Sequence, residues 1–148
     1  MPSQYFENYG VISLTAASTT ITDEGFVGSR LVFNRAAGAT AILPAATGSG
    51  NRYEFIVATT FTGEATIKVA NANDVMQGTA TLFADAGDTL VGFATAASSD
   101  TITFTSTNTT GGIAGARVIL TDVKANTWNV WIISDAAGTE ATPFSATV

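Results

Sequence analysis

The sequence predicts an all-β fold: a single-domain antiparallel β-sandwich or jelly roll of about nine or ten short strands with extended termini. Three observations lead there. Period-two alternation of apolar and polar residues recurs along the chain. Turn-forming clusters interrupt it every 8–14 residues or so. No stretch sustains a 3.6-residue apolar period, and 148 residues suit one domain. Residues 1–25 read as an N-terminal arm and first strand, and residues 26–148 as the sandwich body.

Val11–Thr15 and Arg30–Phe33 are the first candidate strands. Ala39–Leu43 follows and stops at Pro44, which cannot donate to a ladder. Thr47-Gly48-Ser49-Gly50-Asn51 reads as a loop. Arg52–Thr59 is the clearest strand, with Tyr53, Phe55 and Val57 on one face and Arg52, Glu54 and Ile56 on the other. In Glu64–Ala70, Ala65, Ile67 and Val69 point one way. Phe61-Thr62-Gly63 is short enough to join these two strands as a hairpin. Thr79–Ala84 and Thr89–Ala96 flank the turn Asp85-Ala86-Gly87-Asp88. Thr101–Ser106 alternates, and Gly111-Gly112 breaks the chain. Arg117–Asp122 and Thr127–Ser134 are bridged by Val123–Asn126. The tail from Ala136, with Pro143, reads as an extended arm or edge strand. The absence of a repeat at fixed period argues against a solenoid.

Ala and Thr occur 25 times each, and Gly 14 times. Thr covers a strand's solvent face without charge, while Ala lets sheets approach but buries little area. The core therefore rests on a few large residues: Phe33, Tyr53, Phe55, Phe83, Phe93, Phe104, Trp128, and Val130 or Trp131. Trp128 and Trp131 are three apart and face opposite sides of a strand, so one joins the core. The other is exposed, covered at an interface or capped by another sheet.

Cys and His are both absent. That removes disulfides, thiol nucleophiles, Cys/His zinc sites and His-based triads. No phosphate loop, dinucleotide fingerprint or Gly-x-Ser-x-Gly elbow occurs. Asp85 and Asp88 read as turn residues, since a calcium loop would want a third acid. Asn71, Asn73 and Asp74 read as a polar loop. The expectation is no enzyme, no cofactor and no metal. Six basic residues against twelve acidic ones give a net charge of −6, and the basic ones are scattered along the sequence. Nucleic-acid binding is therefore not expected. The first ten residues lack a signal-peptide pattern, and no apolar run reaches the roughly 20 residues of a membrane helix.

Charged residues make up only 12% of the chain. Charge depletion is the compositional mark of covered surface, so a homo-oligomer is expected, with a trimer favoured. Tyr5, Phe6 and Tyr9 put three aromatics ahead of the first strand. They suit either an arm that docks on a partner or a strand that folds onto its own sandwich. An exposed Trp131 is the fourth candidate contact residue, and such a ring can also serve as a sugar platform.

Several segments carry a resemblance. Ala41-Ile42-Leu43-Pro44-Ala45-Ala46-Thr47-Gly48-Ser49-Gly50-Asn51-Arg52-Tyr53-Glu54-Phe55-Ile56-Val57 resembles a Leu-Pro loop leading into an aromatic-alternating strand in small phage structural proteins. Asp74-Val75-Met76-Gln77-Gly78, Thr121-Asp122-Val123 with Thr127-Trp128-Asn129-Val130, and Glu140-Ala141-Thr142-Pro143-Phe144 match in order. The resemblance spans about residues 39–148, and residues 1–38 have no counterpart. In these segments the chain resembles the β-rich decoration, or cement, proteins of tailed-phage capsids. Such a protein would be made in the host cytoplasm and sit on the outer surface of the virion shell. It would bind the major capsid protein and hold neighbouring subunits together, often as a trimer. Similar modules occur in phage fibres, so the alternative is a fibre-associated or receptor-binding module recognising host glycan.

Overall fold

The computed structural model describes residues 10–85 and 89–148. The strands are β1 (Val11–Leu14), β2 (Ser18–Thr20), β3 (Arg30–Phe33), β4 (Thr40–Ile42), β5 (Arg52–Val57), β6 (Ala65–Lys68), β7 (Val75–Ala84), β8 (Leu90–Ala94), β9 (Thr101–Phe104), β10 (Arg117–Lys124), β11 (Thr127–Ala136) and β12 (Phe144–Ser145). One helical turn, α1 (Asp23–Phe26), lies between β2 and β3. The strands form two sheets, a large one in the order β1-β3-β5-β10-β11-β7-β8 and a small one in the order β12-β9-β6-β4-β2. The all-β sandwich follows directly from the alternation: Tyr53, Phe55 and Val57 are buried between the sheets, as are Ala65, Ile67 and Val69.

The strand pairing differs from an antiparallel sandwich or jelly roll. Five of the ten strand pairs are parallel. From β1 to β6 the chain alternates between sheets and lays each strand parallel to the one two before it. This is a three-coil parallel winding. Val11 pairs with Arg30 and Arg30 with Glu54, so successive coils take 19 and then 24 residues. Coils of unequal length leave no fixed sequence period, which is why the winding was not expected. Residues 11–21 are part of this body: β1 joins the large sheet, β2 the small one, and Leu14 and Ile21 are buried.

Phe61-Thr62-Gly63 is a crossing between sheets rather than a hairpin, because β5 and β6 belong to different sheets. A hairpin would leave Phe61 in water; the crossing buries it completely. Its ring meets Phe33 edge-on at 5.6 Å and Phe104 stacked at 6.0 Å, and Phe33 stacks on Phe55 at 5.5 Å. At the same crossing the backbones of Gly38 and Glu64 nearly touch. A β-carbon on Gly38, whose φ is +86°, would lie 1.9 Å from the Glu64 carbonyl oxygen.

The predicted hairpins β7–β8 and β10–β11 are present. Trp128 is buried against Tyr53, with ring centroids 5.8 Å apart, while Trp131 is 48% exposed. Phe83 was expected in the core but is 42% exposed, because alternation along β7 gives the inner positions to Met76, Ala80 and Leu82. On the small sheet, Thr103, Thr66, Thr40 and Ser18 form a hydroxyl row across four strands. The Thr66 hydroxyl donates to that of Thr40 at 3.0 Å.

Candidate functional site: the outer face of the large sheet

Strand register fixes what the outer face of the large sheet presents. One row across the sheet runs Val11, Arg30, Glu54, Ile119, Trp131, Thr79, Ala94. The next runs Ser13, Val32, Ile56, Arg117, Ile133, Thr81, Gly92. A shorter third row holds Asp135, Phe83 and Leu90. Of the eight large apolar residues exposed among the described residues, five lie on this face: Val11, Phe83, Leu90, Trp131 and Ile133. Ile119 is half-buried beside Trp131. Trp131 and Ile133 adjoin Ile119 at the centre and Phe83 pairs with Leu90 toward the far edge, while Val11 lies apart beyond Arg30 and Glu54; clustered apolar exposure of this kind marks a contact surface.

Charge is distributed unevenly over the face. Glu54 accepts from both Arg30 and Arg117, each Nε–O distance being 3.0 Å, so one carboxylate ties β3, β5 and β10 together. Arg52 also points outward from β5. Half of the chain's six cations therefore meet on one side of one sheet, although they are far apart in sequence. A groove beside them is lined by Val27, Arg30, Asn51, Arg52 and Glu54. At the opposite end a second groove is lined by Phe83, Leu90 and Ile113 with Asp85 and Asp135.

The loop beside the arginine end is held by Asp122. Its carboxylate accepts from the Thr47, Gly48 and Ser49 amides at 3.0, 2.7 and 3.0 Å. It also accepts from the Thr47 and Ser49 hydroxyls at 3.2 and 2.7 Å. Burial alone would raise the Asp122 pKa, but the Ser49, Thr47 and Gly48 hydrogen bonds outweigh it and hold the group at about 2. Asp74 secures the preceding residue, accepting from the Ala46 amide at 3.0 Å and the Asn71 side chain at 3.2 Å. Under the sheet the Tyr53 hydroxyl donates to Asp23 at 2.5 Å. Burial and that carboxylate push its pKa upward.

Trp131 is thus placed at the centre of the face, with Arg117, Ile119 and Ile133 around it. Tyr5, Phe6 and Tyr9 lie outside the described residues, as does Asp88. The amide of Gly138 donates to Asp85 at 3.3 Å. Among the described residues no three carboxylates gather to hold a metal ion, and no helix is long and apolar enough to cross a membrane. Sequence reasoning singled out Trp131 but missed Ile119, Ile133, Phe83 and Leu90 around it. It also missed the convergence of Arg30, Arg52 and Arg117. The outward phase of each strand was legible; the order in which the strands lie side by side was not.

What the face offers chemically is contact: an aromatic anchor, aliphatic neighbours and fixed charges on a stiff sheet. No family model matches the chain, and no curated protein matches its sequence.

Proposed function

We propose that the protein is a structural virion component, a decoration or cement protein that binds the outer surface of the major capsid shell and stabilises it. The observation that carries this reading is the outer face of the large sheet, broad and apolar at its centre. A protein whose distinctive surface is a sheet face works by being covered. The segment resemblance over residues 39–148 supports a capsid as the assembly on which neighbouring copies of the same chain cover this face. A decoration protein gains by repetition, since a few kcal/mol at each of many symmetric sites adds up over a shell.

Trp131 fits this role better than that of a sugar platform. Its neighbours are two isoleucines and one arginine, whereas a sugar subsite surrounds its aromatic plane with several hydrogen-bonding groups. The Tyr5, Phe6 and Tyr9 segment precedes β1, the edge strand of the large sheet, and is the proposed contact with the shell. The test is to add purified protein to expanded heads that lack it. Binding and a raised temperature of head disruption are expected. Deleting residues 1–9 should abolish binding with the far-ultraviolet spectrum unchanged. Failure of the full chain to bind heads, together with binding to host glycan, would overturn the proposal.

A further inference from the structure

The charges on the large sheet's outer face are arranged so that the face complements itself. Arg30 and Arg52 lie toward β3 and β5, while Arg117 sits beside Ile133 at the apolar centre, held to Glu54. Asp135 and Asp85 lie at the far end, where β11, β7 and β8 meet. With Glu54, the face carries three cations and three carboxylates among the described residues, whereas the chain as a whole carries −6. Between the two ends is an apolar centre of Ile119, Trp131 and Ile133. We infer that this face packs against the same face of a second copy, related by a two-fold axis lying in the contact plane across that centre.

Such an axis sets the arginine end of one copy over the acidic end of its partner, and does so twice. No other placement of two identical faces pairs the opposite charges and stacks the apolar centres together. The groove lined by Arg30 and Arg52 then receives the partner's acidic ridge, while the groove lined by Phe83, Leu90, Asp85 and Asp135 receives the arginines. A self-complementary contact of this kind closes on itself as a pair. Two sheets stacked face to face lie about 10 Å apart, a spacing that side chains such as Trp131 and Ile133 fill by interdigitating.

The face is large enough. Seven strands about 4.8 Å apart span roughly 29 Å, and the outward positions from Asn129 to Asp135 cover about 20 Å. The projected area is at most roughly 600 Å², since β1, β3 and β8 are shorter than β11, and a pleated face carrying side chains exposes more than its projection. A stable interface needs about 800 Å² of accessible surface from each partner. The Arg/Trp/Ile composition is that of an energetically dominant interface centre. This inference does not depend on the capsid reading, because it concerns the chain with its own copy.

The test uses the full chain in analytical ultracentrifugation. A species of twice 15.1 kDa is expected at micromolar concentration. Trp131→Ala should raise the dissociation constant by about thirtyfold. Arg52→Glu and Asp135→Arg should each raise it by about tenfold or more, and the double variant should recover to within about threefold of the original. All three sites of change are at the surface, and circular dichroism checks that each of the four variants folds. Recovery in the double variant supports the two-fold pairing. A chain monomeric at 100 µM (an order-of-magnitude ceiling for a standard-size interface), a trimer, or a dimer indifferent to both charge reversals would each overturn it. These outcomes are separate from head binding, so this inference and the capsid proposal can fail independently.

Discussion

Asp122→Asn is the most informative change to the fold. The native carboxylate accepts five hydrogen bonds from the Thr47–Ser49 loop. Asparagine keeps the shape but removes the charge and turns one acceptor into a donor facing amide N–H groups. The displacement of the Asp122 pKa from 3.8 to about 2 measures how strongly the loop prefers the charged form. At about 1.4 kcal/mol per unit, that preference is about 2 kcal/mol. The substitution should therefore lower unfolding free energy by about 2 kcal/mol or more at pH 7, read by urea denaturation followed through tryptophan fluorescence.

The sign of the pH dependence follows from linkage. A depressed folded-state pKa contributes stability that is complete above the unfolded value of 3.8. That stability is lost as pH falls through about 2. The gap between native chain and variant should stay constant from pH 7 to about 5, shrink to about half by pH 3 and nearly close at pH 2. A variant that loses less than about 0.5 kcal/mol at pH 7, or a gap as wide at pH 3 as at pH 7, would refute this account of the loop.

Three further outcomes are expected. Phe61→Ala removes the ring that links Phe33 to Phe104 and should cost about 3–5 kcal/mol in the same assay; a loss below about 1 kcal/mol would restore the hairpin reading of this segment. Gly38→Ala forces a β-carbon against the Glu64 carbonyl at a positive φ and should cost about 2–3 kcal/mol, visible as a lowered Tm; an unchanged Tm would mean the crossing has slack. Glu54→Gln breaks both ion pairs, yet Arg30 and Arg117 are about half exposed, so the loss should stay within about 1 kcal/mol and fade in 1 M salt. A salt-independent loss of about 3 kcal/mol would make the triad a buried network instead.

Much of the fold was legible because alternation is local. Tyr53, Phe55 and Val57 announce an inward face within five residues, and three-residue spacing already separates Trp128 from Trp131. Turn chemistry gave the β7–β8 and β10–β11 hairpins. The parallel coils were not legible, since parallel neighbours are joined by long crossovers and these crossovers differ in length. Phe61 was misplaced for a related reason: beside Thr62-Gly63 it resembles a turn, and only the partner sheet shows what it packs against. Phe83 misled in the opposite sense, a large apolar residue on the outward phase of its strand. The interaction face was half legible. Trp131 stood out as a single residue, but Arg30, Arg52 and Arg117 converge only once β3, β5 and β10 lie side by side.

The capsid proposal is tested most directly by electron cryo-microscopy of expanded heads incubated with the purified protein. The account predicts this two-sheet body on the outer surface of the shell, repeated at symmetric positions and bridging neighbouring capsid subunits. Its absence from the heads would contradict the account.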